Sequence, residues 1–64
     1  MNDSFESPSP QDIREKRQAA RLTQAQAGAL TCTSGRQWQK WEYGEHKMHP
    51  GLWELFLIKA KKLK

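Results

Sequence analysis

LTQAQAGALTCTSGRQWQKWEYG, residues 22–44, decides the fold. Thr23 and Ser34 stand where helix caps stand, because a hydroxyl oxygen can accept from the free backbone N–H groups that open a helix. Two starts eleven residues apart leave room for about two helical turns and a connection of about three or four residues. Those are the dimensions of two short helices joined by a tight polar turn. Gly44 closes the second helix at the left-handed position that favours glycine. Ala25, Ala27, Gly28 and Ala29 are all small, so the two helices can approach closely.

On the N-terminal side of this stretch, Gln11 to Ala20 reads as a preceding helix, with Ile13, Lys16 or Arg17, and Ala20 on one side. Residues 1–10 carry serine and proline without periodicity and read as a disordered acidic leader that ends in a helix start. On the other side, Pro50 opens a last helix that runs to about Lys61. The expectation is an all-α fold, a four-helix domain over residues 11–64 with the helix-turn-helix at its centre.

Sixty-four residues allow one domain, and so small a domain buries a modest fraction of its surface, which favours help from a partner subunit. Cys32 is alone, so no internal disulfide forms; with no apolar signal segment, a reducing intracellular setting is expected. The apolar run Leu55 to Ile58 is too short to span a bilayer. Charge is placed unevenly. Residues 1–12 hold Asp3, Glu6 and Asp12 and no base, whereas residues 13–64 hold eleven Lys and Arg against four acids, a net +7. A basic domain suits a polyanion, nucleic acid first and an anionic membrane surface second.

The second helix of the motif carries the chemistry. Arg36 fits the two major-groove acceptors of guanine, and Gln39 can read adenine through its amide. Gln37 and Lys40 share those duties or bind phosphate, and Gly35 lies at the end of the helix that approaches base edges. The Ser34 hydroxyl can cap, touch phosphate, or both. Arg14 and Arg21 are free for phosphate or solvent. Trp38 and Trp41, three apart, fall on the opposite side and read as core; stacking on an unpaired base is the rival role. Cys32, His46 and His49 lack any standard zinc spacing and a fourth ligand, so no metal is expected. No acid/base pair, activated nucleophile or phosphate-cradling loop is present, so neither an enzyme nor a cofactor is expected.

Leu22-Thr23-Gln24, then Ser34, then Trp41-Glu42-Tyr43-Gly44 at fixed separation resemble the XRE family of phage Cro and repressor-type helix-turn-helix regulators. The likeness covers residues 13–57 and implies a lambda-repressor-like fold. It departs at Cys32 and Thr33, where relatives usually have a glycine and an aliphatic residue, and at Ala27 and Gly28, where they often have leucine and alanine. The tryptophan pair, with HPGLWELFLIK at residues 49–59, is similar to very small phage-borne regulators of the anti-CRISPR-associated autorepressor kind. The resemblance implies an Arg17–Glu42 ion pair pinning the first helix to the motif, a phosphate contact from Gln24, and further phosphate contacts from Tyr43 and Lys47 beside the following loop. It also implies transcription regulation in a bacterial cytoplasm, by a chain of phage or mobile-element origin.

In the last helix Leu52, Leu55 and Phe56 form one apolar stripe, and Trp53, Leu57 and Ala60 a second beside it. One stripe suffices for a small core. An exposed patch of Trp53, Phe56, Leu57 and Ala60 would then be a partner surface, most simply for a second copy, which sets two recognition helices on an inverted-repeat operator. The alternative is a helix buried all round. The lysine tail suits phosphate, anionic lipid or the helix dipole. Three readings follow: a dimeric repressor of double-stranded DNA, an antitoxin-like protein-interaction module using Trp53 and Phe56, and a peripheral membrane peptide. The motif favours the first.

Overall fold

Four helices follow one another in the computed structural model, which describes residues 7–62: α1 (Pro10–Ala19), α2 (Gln24–Leu30), α3 (Gly35–Tyr43) and α4 (Pro50–Lys62). The described residues are all-helical, and the expected boundaries hold to within about a residue. The leader expectation rests largely on residues 1–6, outside the described part. Its end belongs to the fold, since Ser9 Oγ accepts from Asp12 N at 3.0 Å and Pro10 is the first residue of α1.

Each helix start has a local hydrogen-bond cause. Thr23 and Gln26 form a reciprocal box, Gln26 N donating to Thr23 Oγ1 at 3.0 Å and Thr23 N donating to Gln26 Oε1 at 2.9 Å. Ser34 Oγ accepts from Gln37 N at 3.1 Å. For α4 the cap is His49, whose Nδ1 accepts from Gly51 N at 2.8 Å.

The ends of α1, α2 and α3 share one geometry, a left-handed residue just past the last turn. At Gly44, φ is 80°, the conformation glycine adopts freely. At the other two ends the residue is Arg21 (φ 60°) and Cys32 (φ 61°). Side chains are disfavoured there by about 1–2 kcal/mol. Hydrogen bonds hold them: Leu22 N donates to Arg17 O at 3.2 Å, and Thr33 N donates to Gly28 O at 2.8 Å. The hydroxyls of Thr31 and Thr33 also donate to Gly28 O, at 3.0 and 3.2 Å, so the α2–α3 turn is tied by polar groups.

α2 lies closely along α3, α1 packs on α3, and α4 packs across α2. The close approach is made at Gly28, where a Cβ would stand 2.6 Å from the Ser34 carbonyl oxygen. Ile13, Ala27, Trp38, Trp41, Met48, Phe56 and Ala60 form the core. Trp38 is its centre, edge-on to Trp41 with centroids 5.6 Å apart and tilted against Phe56 at 4.7 Å. Burying one such indole is worth about 4–6 kcal/mol.

The face of α4 differs from expectation. Phe56 is 0% exposed and Ala60 9%, so neither belongs to an open patch. Phe56 sits between Trp38 and a stacked Trp53, 5.9 Å away, because α4 turns the 56/60 edge inward against the tryptophans. Trp53 and Leu57 are half-buried, and Ile58, at 53% exposed, is the open apolar side chain. No helix among the described residues is long and apolar enough to cross a membrane.

Candidate nucleic-acid interface

The buried side of α3 is Trp38, Trp41 and Glu42. At 100° per residue the opposite side is Arg36, Lys40 and Tyr43, with Gln39 on the flank toward α2 and Gln37 on the other. Arg36 is exposed, and Tyr43 is 63% exposed. Arg36 and Lys40 make no side-chain hydrogen bond or ion pair among the described residues, so both cations stand free on this face. Lys47 is exposed in the loop after α3, where it borders a groove with Pro10, Trp41, Gly44 and His46 rather than the Arg36–Lys40 face itself.

Beneath this face sits a buried carboxylate with four donors around it. Glu42 Oε2 accepts from Arg17 Nε at 2.6 Å and from Trp38 Nε1 at 2.5 Å. Its Oε1 accepts from Arg17 Nη2 at 3.3 Å and from Gln24 Nε2 at 3.2 Å. Burial works to raise the Glu42 carboxyl. It is outweighed by the hydrogen bonds from Arg17, Trp38 and Gln24 and by the Arg17 charge, so the group titrates below the ordinary value of 4.5. Arg17 also donates to Leu22 O at 3.0 Å, which joins the α1–α2 turn to the same knot. The Arg17–Glu42 pair is therefore present as expected, and it fixes the rotation of α3 about its axis.

The structure sorts the remaining candidates. Gln24, expected on phosphate, spends its amide on Glu42 and on Gln39, whose Nε2 donates to Gln24 Oε1 at 2.9 Å. One Gln24 N–H remains for a phosphate. Gln37 Nε2 donates to His46 Nδ1 at 3.3 Å, tying α3 to the loop that carries Lys47. The Ser34 oxygen is used as a cap, leaving its O–H to donate outward. Gly35 faces α2: a Cβ there would lie 2.9 Å from the Ala25 Cα, so its small size serves packing. Arg21 is exposed in the α1–α2 turn, three residues before Gln24. Arg14 shares a groove on the outer side of α1 with Ser9, Gln11, Glu15 and Gln18, apart from the face of α3.

Four participants were not anticipated. Gln26 was legible, since Thr23-x-x-Gln26 is a capping-box spacing. The Trp38 bond to Glu42 had a signal too, four residues apart on one helix. The His46 bond and the burial of Met48 have no local signature, because both depend on how the loop folds back. Cys32 lies in the α2–α3 turn while His46 and His49 lie after α3, and among the described residues no three metal-ligating side chains gather.

No family model and no curated protein matches the chain.

Proposed function

We propose that the chain is a sequence-specific double-stranded DNA-binding regulator of the XRE helix-turn-helix type, a dimeric repressor that occupies an inverted-repeat operator in a promoter. The observation that carries the reading is the cationic face of α3: among the described residues Arg36 and Lys40 stand unpaired beside Tyr43, while the reverse of the helix is locked by Glu42, Trp38 and Trp41. A capped helix held rigidly, with its exposed side given to cations and amides, has the chemistry of a major-groove reader. Arg36 reads guanine, Lys40 and the two flanking glutamines share base and phosphate contacts, and Lys47, Tyr43 and the Ser34 hydroxyl grip the backbone. Binding blocks polymerase. The setting is the bacterial cytoplasm, where the operator is, with a phage or other mobile element as the carrier.

Dimerisation is assigned to α4, whose half-buried Trp53 and Leu57 lie beside the exposed Ile58. A two-fold arrangement about this helix sets two copies of α3 one DNA turn apart.

The test is the salt dependence of binding to a generic duplex by fluorescence anisotropy. The affinity is expected to fall steeply as salt rises, and Lys40→Ala to lower the log–log slope by about 1. An affinity indifferent to salt, or a slope unchanged by Lys40→Ala, contradicts the assignment.

A further inference from the structure

A line of hydrogen bonds runs from the core to the edge of the exposed face of α3, and its polarity is set at the buried end. The Glu42 carboxylate accepts and cannot donate, so the Gln24 amide that meets it at 3.2 Å must present its nitrogen. This turns the Gln24 carbonyl oxygen the other way, where it accepts from Gln39 Nε2 at 2.9 Å. Gln39 therefore has its nitrogen held, while its own carbonyl oxygen has no partner among the described residues. A freely rotating glutamine amide offers donor and acceptor equally and discriminates weakly between bases. An amide with its nitrogen pinned offers an acceptor in one place.

The major-groove donors are the N6 amino group of adenine and the N4 amino group of cytosine; guanine and thymine present acceptors there. We infer that Gln24, rooted on Glu42, is a positioning residue for base selection: it orients Gln39 so that the Gln39 carbonyl oxygen selects an amino-bearing base, adenine or cytosine, at one position of each half-site. Adenine is favoured, since the second Nε2 hydrogen of Gln39 is still available for its N7 acceptor. This inference rests on the reading of α3 as the helix that faces DNA.

The test is selection from a randomised duplex library by the full chain, sequenced after enrichment, with helical melting followed by circular dichroism for each variant. Wild type is expected to enrich adenine or cytosine over guanine and thymine about tenfold at one position of each half-site. Gln39→Leu removes that preference. Gln24→Leu, which leaves Gln39 in place, reduces it to about twofold or less; overall affinity falls with the lost Glu42 and phosphate contacts of Gln24, while the ratio that favours guanine at the Arg36 position is kept. Gln39→Glu in the Gln24→Leu background restores an acceptor that needs no orienting, so a preference for cytosine returns; a merely structural role for Gln24 predicts no such rescue. The inference is overturned, with DNA recognition intact, if Gln24→Leu keeps the full preference, if the rescue fails, or if the Gln39-dependent position favours guanine or thymine. A wild-type chain that enriches no sequence overturns the DNA-binding reading and this inference together.

Discussion

Glu42→Gln isolates the charge at the centre of the fold while keeping the shape of the side chain. In the wild type each carboxylate oxygen faces two donors, Arg17 Nε and Trp38 Nε1 on Oε2, Arg17 Nη2 and Gln24 Nε2 on Oε1. A glutamine must turn its own NH2 group toward one of those pairs. The milder choice is the Oε1 position, where the contacts are longer, at 3.3 and 3.2 Å. Hydrogen bonds to charged groups are worth about 1.5–3 kcal/mol each, and breaking a buried pair costs about 3–5 kcal/mol. Arg17 keeps 15% of its side chain in solvent against 2% for Glu42, so it rehydrates in part and the cost falls to about 2–3 kcal/mol. A chain this size has about 3–10 kcal/mol in total, so the midpoint of thermal melting drops by about 10–20 °C. The pH dependence has a definite sign. Because the carboxyl titrates lower in the folded state than its ordinary 4.5, its contribution is complete above that value and is lost as pH falls through the folded value. The gap between wild type and Glu42→Gln should therefore be constant from pH 7 to about pH 5, then narrow by up to about 1.4 kcal/mol per pH unit. Urea unfolding of both proteins across pH 3–7 measures it. A gap below about 0.5 kcal/mol at pH 7, or one that stays the same down to pH 3, contradicts a stabilising role for the buried Glu42 charge.

Three further outcomes follow from the backbone and the last helix. Arg21→Gly relieves a left-handed side chain while keeping the Leu22 bond to Arg17 O, and should raise stability by about 0.5–1 kcal/mol; a loss in urea unfolding counts against it. Gly28→Ala should do the reverse of what helix propensity says, which favours alanine by about 1 kcal/mol. Its Cβ would meet the Ser34 carbonyl oxygen at 2.6 Å, so a destabilisation above about 2 kcal/mol is expected, and a neutral result would show that α2 and α3 are less tightly apposed. Ile58→Glu, at a side chain 53% exposed, should leave monomer melting within about 0.5 kcal/mol of wild type but weaken self-association at least about tenfold in sedimentation equilibrium. Unchanged association, or none in the wild type, contradicts the assignment of α4 as a self-association face.

What was legible in the sequence is what local hydrogen bonding decides. Thr23, Ser34, Gly44 and Pro50 mark starts and stops because each acts on backbone groups within a few residues. The inward side of α3 was legible for a similar reason, as two tryptophans three apart leave one direction for the core. The face of α4 was not. Leu52, Trp53, Leu55, Phe56, Leu57 and Ile58 are apolar nearly all round, so periodicity cannot choose between edges, and Phe56 goes inside because α4 meets Trp38. Arg21 and Cys32 in left-handed turns stand where the resembled family favours glycine, so the resemblance marked both turns while the residues themselves did not; His49 was hidden because imidazole is an uncommon cap. Within the candidate interface, the Arg17–Glu42 pair was expected from the resemblance. The Gln24–Gln39 bond joins residues fifteen apart on two helices and exists only once those helices are packed.

Operator discrimination is the decisive measurement for sequence-specific binding by α3. Anisotropy of the chain against the inverted repeat nearest its own gene, and against a scrambled duplex of equal length, is measured at fixed salt with Arg36→Ala alongside. Binding to the repeat is expected to be on the order of 10³ times tighter than to the scramble, with most of that ratio lost in Arg36→Ala. Equal, weak binding to both duplexes, unchanged in the variant, would contradict it and make α3 a scaffold for a protein partner.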